Sequence, residues 1–150
     1  MYQNGYNVYR EARVTTADPK QLVLLCYDEA IRSLKSAKEL YLEGSFEAKG
    51  KAVVRAQDFI AELNNSLDME KGGEIAKNLR GLYNFMTAHI IEGDIKRDLK
   101  AFDDVVKMLE ELKSAWEEIF SGKKAEQPAR LSSAAAMPTG RYQTAYAAVG

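Results

Sequence analysis

The chain has one cysteine and one histidine in 150 residues, and that scarcity removes most of the chemistry a small helical protein could be built around. Cys26 alone closes no internal disulfide and has no second thiol for a CxxC redox pair or a thiolate metal site, a usage that fits a reducing compartment. His89 alone cannot supply the paired Glu-x-x-His motifs of a di-iron bundle. The position three before it is Met86, and Glu92 stands three after it, in the reverse order. No CxxCH is present for covalent haem, and Gly72-Gly73 lacks the lysine and hydroxyl residue of a phosphate-cradling loop. Long hydrophobic runs are also missing. The longest, Leu22 to Tyr27, falls far short of the roughly 20 residues a membrane helix needs, and no basic-then-apolar leader opens the chain. Neither sign of charge dominates: 21 Lys and Arg face 22 Asp and Glu, a net charge of -1 with pI near 5.9. Nucleic acid and anionic membranes therefore have no electrostatic claim as partners.

What is present is helical patterning, at 46% hydrophobic and 29% charged residues. Asp18 and Pro19 form an N-cap and N1 pair. Behind them Leu22, Val23, Cys26, Tyr27, Ala30, Ile31, Leu34, Ala37 and Tyr41 make an apolar arc wide enough for two neighbours, and Gly44 ends it as a left-handed C′ residue. Ser45 opens a second helix running to about Leu67, with Val53, Ala56, Phe59, Ile60, Leu63 and Leu67 on one face. Asp68 to Gly73 reads as a loop. The third helix carries Ile75, Leu79, Leu82, Met86 and Ile90 and is expected to close at Gly93, with Asp94 capping the fourth. That last helix turns Leu99, Phe102, Val105, Val106, Leu109, Leu112, Trp116 and Phe120 inward and stops at Gly122. No segment alternates as a strand does. Short connections favour antiparallel neighbours, so the expected fold is all-α, an up-and-down four-helix bundle over residues 18–122. An N-terminal segment, 1–17, would precede it and a flexible tail, 123–150, would follow, rich in small residues and containing Pro128 and Pro138. Tyr142 to Tyr146, YQTAY, echoes Tyr2 to Tyr6, YQNGY, although five-residue echoes often arise by chance.

The inventory points away from catalysis. Cys26 lies on the apolar arc as a structural thiol. Asp103, Asp104, Glu110, Glu111, Glu117 and Glu118 read as the solvated face of the fourth helix, with no pair placed in a cleft. The expectation is a non-enzyme without metal or cofactor, acting through its surface. On the second helix Gly50, Val54, Gln57 and Ala61 form a narrow strip beside the core face. Ala76, Arg80, Tyr83 and Thr87 form one on the third. If adjacent, the strips make a shallow groove suited to an amphipathic partner segment. Each could equally pack against a third helix or the N-terminal segment.

Several blocks resemble a known family. Tyr9, VTTADPKQLVLLCYDEAI, AKGKAVVRAQDFIAELNNSLDMEKGGEIAKNLRGLYNFM and FDDVVKMLEELKSAWEEI follow in order over about residues 6 to 120. Together they look like the flagellar export chaperone FliS, with KGGEIAKNL and LYNFM the most specific. That resemblance implies a cytoplasmic helical bundle that binds the disordered C-terminal segment of flagellin, prevents its premature polymerisation and helps deliver it to the flagellar type III export apparatus. Export-gate components would be further partners. It also implies that the segment ahead of the first helix, with Tyr6, Val8 and Tyr9, caps an apolar part of the bundle and is displaced when flagellin arrives. Where the family usually has glycine after the aspartate that follows the Leu-Tyr pair, this chain has Glu29, a better helix former that should be tolerated. A helical interaction module or a secretion chaperone for another client is the alternative.

Overall fold

The computed structural model describes residues 18–122, which form four helices: α1 (Pro19–Leu42), α2 (Phe46–Asn65), α3 (Met69–Lys96) and α4 (Lys100–Phe120). The first expected boundary is realised atom by atom. Asp18 Oδ1 accepts from the Gln21 backbone N–H at 2.9 Å, and Gly44, at φ 82°, reverses the chain after α1. Each helix packs on its neighbours in sequence, and α4 returns against α1, which closes an antiparallel four-helix bundle. The wide arc of α1 thus serves both α2 and α4. Tyr27, Ala30, Leu34, Ile60, Met86, Ile90, Val105 and Leu109 are fully buried on the central axis. Cys26 lies in this core as a buried free thiol. None of the helices is long and apolar enough to cross a membrane.

Two boundaries differ from the sequence expectation. Met69 to Gly72 is already a helical turn, capped by Asp68 on the N–H groups of Glu70 and Lys71, and the break falls at Gly73, with φ 53° and ψ -130°. At the other end α3 does not stop at Gly93. It continues to Lys96, and Arg97 takes the left-handed position at φ 59°. Gly93 is buried because α3 and α4 close upon each other there: a Cβ on it would lie 2.3 Å from that of Ala101. Asp94 is therefore not the cap of α4. Its carboxylate pairs with Lys49 at 2.6 Å, while Asp98 Oδ1 accepts the N–H of Lys100 at the α4 start. The N-terminal segment 1–17, with Tyr2, Tyr6, Val8 and Tyr9, and the tail 123–150 lie outside the described residues.

Charged pairs run along the α1–α4 seam. Lys35 meets Glu110 at 3.4 Å, Lys38 meets Asp103 at 2.9 Å and Lys113 meets Asp28 at 2.6 Å. The hydrogen bond with Asp28 holds the Lys113 ammonium above the ordinary lysine range. Being partly exposed, these pairs set register more than stability.

Candidate functional site

The α2–α3 seam is where the two sequence strips fall. Gln57 Nε2 donates to the Thr87 carbonyl oxygen at 3.2 Å, Asn64 Nδ2 to Asn84 Oδ1 at 2.9 Å, and Lys49 pairs with Asp94. These three links fix an antiparallel register that sets Phe46 near Ile95 and Val54 level with Ile91. All four side chains are at least half exposed or nearly so: Phe46 60%, Val54 50%, Ile91 49% and Ile95 76%. Gly50 lies between them on α2, and a Cβ there would meet nothing within 4 Å. No packing demand in the free bundle explains its absence. The acceptor atoms Gln57 Oε1 and Asn64 Oδ1 on the same seam are buried without a hydrogen-bond partner, an uncompensated state that costs roughly 1–3 kcal/mol per group. The seam is an apolar strip with unfilled acceptors beside it.

Two of the expected edge residues are not on this open strip. Ala76 and Tyr83 are buried, 3% and 1% exposed. Tyr83 turns into the core because its hydroxyl finds a partner there: it is hydrogen-bonded to the Tyr27 hydroxyl, which also accepts from Trp116 Nε1 at 3.0 Å. Burial drives both tyrosine pKa values above the ordinary phenol range. Gly50, Gln57 and Thr87 are half-buried, and Val54, Ala61 and Arg80 are exposed. The structure thus brings together Gln57 and Thr87 and removes Ala76 and Tyr83 from the surface. The strips drawn from sequence omit Phe46, Ile91 and Ile95. Thr87, Ile91 and Ile95 recur every fourth residue on one edge of α3, a signal masked by the stronger core stripe beside it.

A second concavity lies at the bundle end where α1 and α3 begin and α2 and α4 finish. It has a volume of about 320 Å³ and is lined by Val23, Leu63, Leu67, Ile75, Leu79 and Trp116, with Tyr83 and Ala76 at its base and Asp68 and Lys71 at its rim. Trp116 stacks on Phe120, and Lys20 stands 5.9 Å from the Phe120 ring.

The titratable groups are used for packing. His89 is buried, stacks on Phe85 and places Nε2 3.1 Å from Asp104 Oδ2. Glu29 is 6% exposed and bound by Arg55 at 3.1 Å and Arg32 at 3.4 Å, so the carboxylate enters the bundle with its counter-charges. Burial raises the Asp58 pKa, and its Oδ2 has no hydrogen-bond partner. Among the described residues no group of three or more His, Cys, Asp or Glu is placed to hold a metal ion.

Comparison with known proteins points to one family. A family model described as "Flagellar protein FliS" matches residues 2–123. The flagellar secretion chaperone FliS of Vibrio cholerae is 37% identical over 109 residues, 73% of this chain and 80% of that protein. Its namesake in Salmonella typhimurium is 36% identical over 110 residues, covering 73% and 82% respectively. The flagellar secretion chaperone FliSB of Pseudomonas aeruginosa is 34% identical over 109 residues, 73% and 86%.

Proposed function

We propose that this chain, which belongs to the FliS family of flagellar secretion chaperones, binds the disordered C-terminal segment of flagellin in the cytoplasm. It keeps that segment from polymerising prematurely and helps hand it to the flagellar type III export apparatus, with export-gate components as later partners. Its action is non-enzymatic. One observation carries the reading: the α2–α3 seam leaves Phe46, Val54, Ile91 and Ile95 exposed along its length.

An amphipathic helix laid along that row buries its apolar face against Val54, Ile91 and the bare backbone at Gly50. Arg80, at the far end of the strip, faces a carboxylate or helix C-terminus. Ordering a disordered client consumes about 2–5 kcal/mol of the gross interaction energy, which keeps an extensive complex releasable at the export site. The segment 1–17, with Tyr6, Val8 and Tyr9, acts as a lid over apolar surface that the client takes.

Calorimetry with the isolated flagellin C-terminal peptide tests the function. One-to-one binding is expected, and absence of detectable heat at high peptide concentration would falsify it. Ala61→Glu, exposed on α2, is expected to weaken binding with the far-UV spectrum unchanged. Full affinity in the folded variant moves the site to another face.

A further inference from the structure

We infer that residues Tyr142–Tyr146 of this chain seat in the apolar pocket beside Trp116, as a built-in ligand of the bundle distinct from the client groove on α2 and α3. Three observations converge. The first is the pocket itself: about 320 Å³, at the small end of ligand sites, walled by Val23, Leu67, Ile75, Leu79 and Trp116. That size suits one or two aromatic rings and excludes a long amphipathic helix, which separates this site from the strip along α2 and α3.

The second is where the chain leaves the bundle. Trp116 lies on the last turns of α4, and Gly122, at φ 92°, turns the chain away just beyond them. Four residues of helix, a rise of about 6 Å, separate Trp116 from the end of α4 at Phe120, so Gly122 lies near the pocket. About 20 residues separate Gly122 from Tyr142, a coil with a root-mean-square span of about 25 Å. A ligand tethered in this way has an effective concentration in the mM range, so an intrinsically weak contact of mM dissociation constant is already half formed.

The third is composition. The tail carries two tyrosines four residues apart, Tyr142 and Tyr146. The bundle's first described residue, Asp18, leaves the same end, which makes Tyr2 to Tyr6 the competing occupant to be tested. Tyrosine suits the site chemically: the ring fills the apolar wall while its hydroxyl reaches the polar rim of Asp68 and Lys71. Arg141, immediately before Tyr142, adds a charge that Asp68 can meet.

Trp116 is the chain's one tryptophan and reports occupancy directly. In the full chain, Tyr142→Ser with Tyr146→Ser should raise acrylamide quenching of its emission by about twofold, as expected when a pocket at least half filled by a tethered group is vacated. A nitroxide on Thr144→Cys, in a Cys26→Ala background, should broaden the Trp116 indole resonance, and reduction with ascorbate should restore it. Unchanged quenching together with an unbroadened indole overturns the assignment. So does a rise in quenching that follows Tyr2→Ser with Tyr6→Ser but not the C-terminal pair, because the N-terminal segment is then the occupant. Neither readout uses flagellin, so the outcome is independent of the client reading.

Discussion

The Gln57 amide spans the α2–α3 seam, donating to the Thr87 carbonyl oxygen at 3.2 Å while its own carbonyl oxygen has no partner. Half of the side chain ties the two helices together and half is left over. Thr87 C=O also serves the ladder of α3, so the tie itself contributes little. Gln57→Ala removes both the tie and the buried unpaired oxygen, two effects that offset, so stability in urea should stay within about 1 kcal/mol of the parent. The same variant unties the seam on which the client would lie, so peptide affinity should fall by more than stability does. Equal losses in the two measurements would assign Gln57 to the fold alone.

Gly50 separates folding from binding more sharply. It sits inside α2, where glycine is about 1 kcal/mol poorer than alanine, and nothing lies within 4 Å of the Cβ it lacks. Gly50→Ala should therefore raise the thermal midpoint of the free protein by several degrees. If a client backbone comes close to the helix at this point, the added methyl should weaken peptide binding in calorimetry. A variant both more stable and fully competent shows that the client does not approach there.

Val54 and Ile91 lie at a similar level of the α2–α3 seam and are each half exposed. Replacing both by serine removes little buried area from the free bundle, so the denaturation midpoint should stay within about 0.5 kcal/mol of the parent. Affinity for the flagellin peptide should fall by about 10- to 100-fold, the scale of two lost apolar anchors. Peptide binding at parental strength would exclude this seam.

Glu29 is affordable in α1 because Arg55 reaches it from α2. Arg55→Ala leaves a nearly buried carboxylate with only Arg32, itself mostly exposed. A loss of about 1–2 kcal/mol is expected, less than for a fully buried pair because Arg55 is partly solvated. Adding Glu29→Gly to Arg55→Ala should recover most of the electrostatic part, offset by glycine's helix penalty. A double variant no better than Arg55→Ala alone would show that the arginine acts by covering Phe59, whose ring lies 5.4 Å from its guanidinium.

Much of this architecture is legible in the sequence because its signals are local. Asp18 and Pro19, Gly44 and Gly122 mark helix ends that the structure realises. The departures arise where packing overrides a local rule. Gly93 looks like a stop, yet it is glycine so that Ala101 can approach; the left-handed turn falls to Arg97 instead. Tyr83 sits at the edge of the α3 stripe by periodicity, but a hydroxyl partner 56 residues earlier draws it inside. The exposure of Phe46, Ile91 and Ile95 is hidden from the sequence for a related reason. One helix's apolar residues do not reveal which of them its neighbours will fail to cover.

Burial of Tyr27 and Tyr83 makes an alkaline prediction. Both phenols have folded-state pKa values raised above the ordinary value of 10.0, with desolvation the leading cause. An acid whose folded-state pKa is raised binds its proton more tightly in the native state. Its contribution to stability is complete below the unfolded value and declines as pH rises past about 10, with each group adding up to about 1.4 kcal/mol of loss per pH unit. Urea midpoints should accordingly hold steady from pH 8 to about 9.5 and fall steeply beyond it. Tyr83→Phe leaves one such group, and its decline above pH 10 should be shallower, even though the variant starts lower for want of the Tyr27 partner. Parallel slopes in the two proteins would mean that the alkaline loss comes from the lysine pairs of the α1–α4 seam rather than from the tyrosine pair.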